Sequence, residues 1–164
     1  MKFKALVLTI ILSAAATVNV HSLGLGAQFN LNAGKVFAPG AALLISPSNI
    51  THIAVNWYLF GEEHTSSIGL TLDLVPLVLP LSKFAAGSFN FTLGVGLFTN
   101  VVFYDETEFN LGLRIPVGVN ILLVKDVFEI FFHVAPSFGG DLLPALEFRD
   151  PFYPIALGGR IWFR

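Results

Sequence analysis

The hydrophobic pattern of this chain alternates with a period of two. From 109 to 121 the odd positions are Phe109, Leu111, Leu113, Ile115, Val117, Val119 and Ile121; the even ones are Asn110, Gly112, Arg114, Pro116, Gly118 and Asn120. Such a run predicts an extended strand, because successive strand side chains point to opposite faces. The pattern resumes after Lys125-Asp126, with Phe128, Ile130, Phe132 and Val134 against Glu129, Phe131, His133 and Ala135. A two-residue turn at Lys125-Asp126 pairs Val124 with Val127 and sets both apolar rows on one face. Pro116 and Pro136 then fall almost opposite each other. Proline cannot donate to a ladder, so a bulge, bend or widening is expected at that level.

Similar alternation recurs at 23–32, 51–60, 67–75, 88–100 and 154–163, with a weaker segment at 38–45 whose parity the pattern leaves open. Ser46-Pro47-Ser48-Asn49 reads as a turn, and Pro76 and Pro80 read as the end of the fourth strand, with a long connection to Gly87. With the two strands of the opening hairpin this makes eight segments. Each approaches the ~9–11 residues that a tilted strand needs to cross a bilayer. No segment carries a 3.6-residue apolar face, so the expected fold is all-β: an eight-stranded antiparallel up-and-down transmembrane β-barrel, apolar outside and small and polar inside.

The inversion rests on volume and charge. Eight strands enclose a space just wide enough for side chains to fill, and only the stripe of Gly, Asn, Ser, Thr and Ala fits there. The four charged residues within the strands, Asp73, Arg114, Glu129 and Arg160, all lie on that stripe. On the opposite stripe an Arg near the midplane would cost ~2–4 kcal/mol. A soluble barrel has the reverse polarity. An α-helical alternative spanning 117–135 would hold Lys125, Asp126 and Glu129 in hydrocarbon and is disfavoured.

Composition agrees. Hydrophobic residues are 54% and charged residues 12% of 164, with 17 Phe; ordinary soluble domains carry ~25% charge. Residues 1–22 read as a cleaved signal peptide, with Lys2 and Lys4 before an apolar run and small residues at Ser13-Ala14-Ala15-Ala16 or Val20-His21-Ser22. Residues 23–164 are then one barrel domain. There is no cysteine, so neither a disulfide nor a thiolate metal site is available.

With the N-terminus in the periplasm, the outward loops are 33–37, 61–66, 101–108 and 139–153, and the opposite turns are 46–50, 76–87 and 124–126. The loops hold Glu62, Glu63, Asp105, Glu106, Glu108, Asp141, Glu147 and Asp150 against Lys35 and Arg149, which gives an acidic outer rim. The last strand alternates Ile155, Leu157, Gly159, Ile161 and Phe163 and ends one residue past the aromatic, at Arg164. In these features the chain resembles the small outer-membrane β-barrel proteins of diderm bacteria, the OmpA transmembrane-domain and OmpX/OmpW-like group. The resemblance implies export to the outer membrane, insertion by the barrel assembly machinery, and outer-membrane lipid as a partner. It implies no single activity, since such barrels serve as anchors, adhesins, resistance factors or narrow channels.

Charges within a narrow barrel should pair across strands, Glu129 with Arg160 and Asp73 with Arg114. A network plugging the lumen is the plain reading; a gated ion or proton path is the sharper one. His52, Asn56, Asn90, Asn120 and His133 are expected to line the lumen. Nothing at metal-ligand spacing accompanies the histidines, and no metal or other cofactor is expected. Trp57, Tyr104, Phe109, Tyr153 and Phe163 lie near strand ends, as interfacial girdle aromatics do; Trp162 points inward by parity. Gly94-Val95-Gly96 sits within a strand and is no nucleotide loop. The expected function is structural or surface-interacting, with an extracellular or host ligand at the loops as partner class and no nucleic acid. The alternative is a narrow channel or small-molecule-binding barrel of the OmpW kind. Catalysis is disfavoured, although lipid-acting barrel enzymes keep that class open.

Overall fold

The computed structural model describes residues 22–33, 38–58, 66–103, 107–143 and 147–163. Residues 1–21, where the signal peptide is expected, and residues 34–37, 59–65, 104–106, 144–146 and Arg164 lie outside them. The strands are β1 (Leu23–Ala33), β2 (Ala38–Ser48), β3 (Thr51–Tyr58), β4 (Ser66–Phe84), β5 (Gly87–Phe103), β6 (Glu108–Arg114), β7 (Val117–Leu123), β8 (Phe128–Val134), β9 (Ser137–Leu143), β10 (Glu147–Phe148) and β11 (Tyr153–Phe163). β6 with β7, and β8 with β9, are two halves of single spanning strands, so the wall has eight staves. Every ladder is antiparallel, and β1 pairs with both β2 and β11, which closes the sheet on itself.

The stagger of the closure follows from the register. The ladder runs from Ile161 through Leu25, Ile45, Ile53, Leu72, Leu97 and Leu113 to Phe138. The bridge of Ser137 to Phe152 sets the last step, which returns to the final stave at Pro151, ten residues from the start (161 to 151). Staggered closure of this kind tilts strands by about 35–45° in barrels generally.

Polarity is inverted throughout. Leu43, Leu113, Phe29, Leu157 and Phe163 are among the many large apolar side chains left more than half exposed on the outer wall. The buried positions are mostly polar: Gln28, Asn30, Ser46, Asn56, Thr71, Asp73, Asn90, Asn110, Arg114, Asn120, Glu129, Ser137 and Arg160. The apolar cluster that is buried is small, formed by Ala42, Leu44, Ala54 and Phe131. In β2, whose parity the sequence leaves open, Leu43 and Ile45 face outward while Ala42, Leu44 and Ser46 are buried.

Three expectations need correction. The strand at 67–75 does not end at Pro76: β4 continues to Phe84, paired with β5 down to Gly87, and Ala85-Ala86 makes the turn. Register shifts between Leu74 and Leu77 and between Pro80 and Ser82 absorb the two prolines as bulges, the setting in which a sheet accepts them. Residues 46–48 likewise belong to β2, with a register shift between Ile45 and Ser48 and the turn at Asn49-Ile50. Finally, 139–153 is not one loop, because β9 runs to Leu143 and Phe148 pairs back with Gly140.

The long hairpin keeps the expected register, Val117 opposite Val134 and Leu123 opposite Phe128. Its turn occupies Val124–Val127, with Val124, Lys125 and Asp126 all at positive φ. Both staves break at one level, at Ile115-Pro116 and Ala135-Pro136. There the N–H of Gly94 donates to Pro116 O (2.9 Å), that of Ile115 to Pro136 O (2.9 Å), and that of Ala135 to Pro154 O (2.8 Å). An antiparallel hydrogen-bonded pair normally exchanges two bonds. In each of these pairs the returning donor is a proline nitrogen, which has no hydrogen. Ser137 Oγ donates to Ala135 O at 2.8 Å and so serves one of the three carbonyls.

Candidate functional site

The lumen is occupied by two charge clusters that the register sets face to face. Glu129 of β8 lies directly opposite Arg160 of β11, and Arg160 Nη2 reaches Glu129 Oε1 at 3.1 Å. Glu129 also accepts from Asn120 Nδ2 at 2.8 Å through Oε1 and from Trp162 Nε1 at 2.8 Å through Oε2. Asn120 in turn accepts from Asn90 Nδ2 at 2.8 Å. Arg160 Nη1 donates to Ser46 Oγ at 2.9 Å and contacts His52 Nδ1. Its guanidinium lies 4.6 Å over the Phe131 ring and 5.5 Å over that of Trp162. Both members of the pair are buried, so the surrounding donors are what make their ionised forms tolerable.

The second cluster spans three staves. Asp73 of β4 is level with Gly96 of β5, and Gly96 with Arg114 of β6. Gly96 has no side chain to separate the flanking ones, and a Cβ there would collide with Asp73 Oδ1. Arg114 Nε therefore approaches Asp73 Oδ1 to 3.2 Å across the glycine. The distance is that of an ion pair, yet neither atom makes a hydrogen bond of acceptable angle. Charge attraction holds here with weaker directionality than at Glu129. Arg114 Nη2 also sits 3.3 Å from His133 Nε2, and the His133 ring stacks on Phe131 at 5.6 Å and 9°.

A third set is uncharged. Gln28 Nε2 donates to Asn30 Oδ1 (2.6 Å) and Asn30 Nδ2 to Asn56 Oδ1 (2.7 Å), an amide chain across β1 and β3. Below it lies a cavity of about 390 Å3, whose lining includes Asp73, Glu129 and Arg160, the rings of His52, His133 and Trp162, and the apolar Ile50, Val78 and Leu122.

At the opposite end of the barrel, Arg149, just past β10, bridges Asp141 of β9 (Nε to Oδ2, 2.7 Å) and Glu108 at the start of β6. Partial burial alone would lower the Arg149 pKa; hydrogen bonds and charge from Asp141 and Glu108 outweigh it and hold the value above the ordinary one. Phe163 and Tyr153 stand exposed on the outer wall, Trp57 and Phe109 are half-buried, and Tyr104 lies outside the described residues. Trp162 is buried in the lumen.

Sequence reasoning missed Ser46, which it assigns to a turn, and the roles of Phe131 and Trp162 as the aromatic surface under Arg160. The signal was present in part: both aromatics sit on the inward parity, beside charged residues of the same stripe.

A closed sheet of eight staves with an apolar outside and an ion-paired inside is a transmembrane β-barrel. No protein-family profile matches the chain, and no curated relative matches it. Among solved structures it is similar to the N-terminal β-barrel domain of Pseudomonas aeruginosa OprF, at 12% identity and TM-score 0.48, covering 87% of this chain and 97% of that one. It is similar to neisserial surface protein A at 13% identity and TM-score 0.48, covering 87% and 96%. With Ail of Yersinia pestis the identity is 13% and the TM-score 0.39, covering 87% and 97%.

Proposed function

We propose that this chain is a bacterial outer-membrane β-barrel that is exported through a cleaved signal peptide and presents a surface without conducting solute. The observation that carries this reading is the lumen filling. Glu129–Arg160 is tied to Asn120, Trp162 and Ser46, Asp73–Arg114 spans three staves beside His133, and a solute crossing the barrel would have to part these buried pairs. The inverted polarity supports the membrane, and the outward Phe163 at the end of the last stave supports delivery by the barrel assembly machinery. The acidic groups at the loop end, partly neutralised by Arg149, support contact with solvent or an extracellular ligand rather than with an anionic surface. Purified protein in planar bilayers is expected to give no single-channel steps; steady unitary conductance would overturn the reading. Cell fractionation with heat-modifiable gel migration tests the location separately, and the same protein in the inner-membrane or soluble fraction would reject it.

A further inference from the structure

We propose that the tongue formed by β9 and β10 at the loop end is seated against the lipid surface, with Phe148 as its anchor among the acyl chains. The final stave pairs with β1 only as far as Tyr153, opposite Ala33. Above that level, among the described residues, 147–152 meet β9 on one side and no strand on the other. Glu147 stands opposite Asp141, and Phe148 opposite Gly140. β9 in turn sets Asp141 opposite Asn110 and Gly140 opposite Leu111 of β6. Directly opposite residues of an antiparallel pair share a face, so each row keeps the direction of its β6 member. Asn110 is buried in the lumen, whereas Leu111 is exposed on the outer wall. Phe148 therefore faces the lipid side and Glu147 the lumen side.

The inverted polarity thus continues above the level at which the wall closes. Phe138 and Leu142 flank Gly140 along the outward face of β9 and are exposed, and Phe148 is exposed by 87%. A hairpin rising into water would gain by turning this row over the lumen mouth, where burial of its surface is favourable. Here the charges hold that side instead. Arg149 bridges Asp141 and Glu108, and its N–H donates to Gly139 O at 3.0 Å. Phe148, the neighbour of Arg149, is fixed outward by those bonds. Exposed apolar surface of this kind marks a membrane or protein contact. The row is continuous with Leu111, Leu113 and Phe138 of the wall, which the membrane reading above places against lipid. That continuity selects acyl chains as the occupant, and an aromatic at the border of the apolar band is the usual girdle residue.

The chain has no cysteine, so Phe148→Cys, Glu147→Cys and Leu113→Cys each provide a single site for a nitroxide spin label. The labelled proteins are placed one barrel per disc in phosphatidylcholine nanodiscs, which leave both ends open to solvent, and folding is checked by the heat-modifiable gel shift. Relaxation by oxygen reports lipid, and relaxation by a water-soluble nickel chelate reports solvent. The oxygen-to-nickel ratio is expected to be severalfold higher at 148 than at 147 and to approach that at 113. Phe148→Asp in a Leu142→Cys protein is expected to lower the ratio at 142 severalfold, because the tongue loses its anchor. A label at 148 as open to nickel as that at 147, with 113 still in lipid, overturns the proposal and leaves the barrel reading intact. An unchanged ratio at 142 in the Phe148→Asp protein overturns the anchoring role in the same way. A label at 113 that is open to nickel in the folded protein rejects the barrel reading itself, and the proposal with it.

Discussion

Glu129 accepts three hydrogen bonds from three different residues in a lumen where it is buried almost completely. Removing Arg160 leaves that carboxylate without its cation, and losing one member of a buried pair costs about 3–5 kcal/mol. Arg160→Met is therefore expected to lower the urea midpoint of the vesicle-inserted barrel sharply. Glu129→Met with Arg160→Met together is expected to recover much of that loss, because the pair, not either residue, sets the cost. Gly96 makes a different kind of contribution, through the side chain it lacks. Gly96→Ala forces Asp73 off Arg114, since its Cβ would meet Asp73 Oδ1 and Leu72 O; a loss of roughly 1–3 kcal/mol is expected by the same assay. The pairing of Glu129 with Arg160 could be read from strand parity and neighbouring staves. That of Asp73 with Arg114 is harder to read, because the two lie on staves separated by β5 and the enabling residue is a glycine.

The two broken staves and β11 carry a diagonal of weak points, where Pro116, Pro136 and Pro154 each accept a backbone hydrogen bond without returning one. Hydrocarbon offers no water to replace a missing bond, so the sites at Pro116 and Pro136 are local deficits in the wall, while Ser137 Oγ serves the carbonyl opposite Pro154. Pro136→Val supplies an N–H for Ile115 O and is expected to stabilise the barrel by about 0.5–1.5 kcal/mol, the net yield of one hydrogen bond. Ser137→Ala has the opposite sign: it strips Ala135 O of the hydroxyl that serves it and is expected to cost roughly 1–3 kcal/mol. Urea titrations of the two variants should bracket the parent protein. Alternation made the break at Pro116 and Pro136 legible, because interior proline conflicts with a clean period of two. The same rule misread Pro76 and Pro80. There the ladder shifts by one residue at each proline, and a bulge of that kind leaves no mark in single-residue propensity.

Across the whole barrel, the outward rows of the staves are apolar over most of their length, with Lys83 an exposed charge near the end of β4, and the lumen holds the buried ion pairs. A charge moved from one side to the other should therefore report the boundary. Leu113→Arg, on an outward position exposed by 57%, is expected to cost about 2–4 kcal/mol in a bilayer if it sits near the midplane. A detergent micelle, which deforms around the guanidinium, should reduce that loss. Fold class and inversion were legible because composition and parity both point to them; the stagger was not, because it depends on bulge positions. The mating of β1 with β11 adds a kinetic dimension. Leu23 pairs with Phe163 and Ala33 with Tyr153, so the wall is sealed by residues from opposite ends of the chain. Contacts so distant along the sequence form slowly, since loop closure must precede their reward. Until the final stave arrives the sheet has two open edges, which makes its last eleven residues a timing element for assembly as well as a structural one.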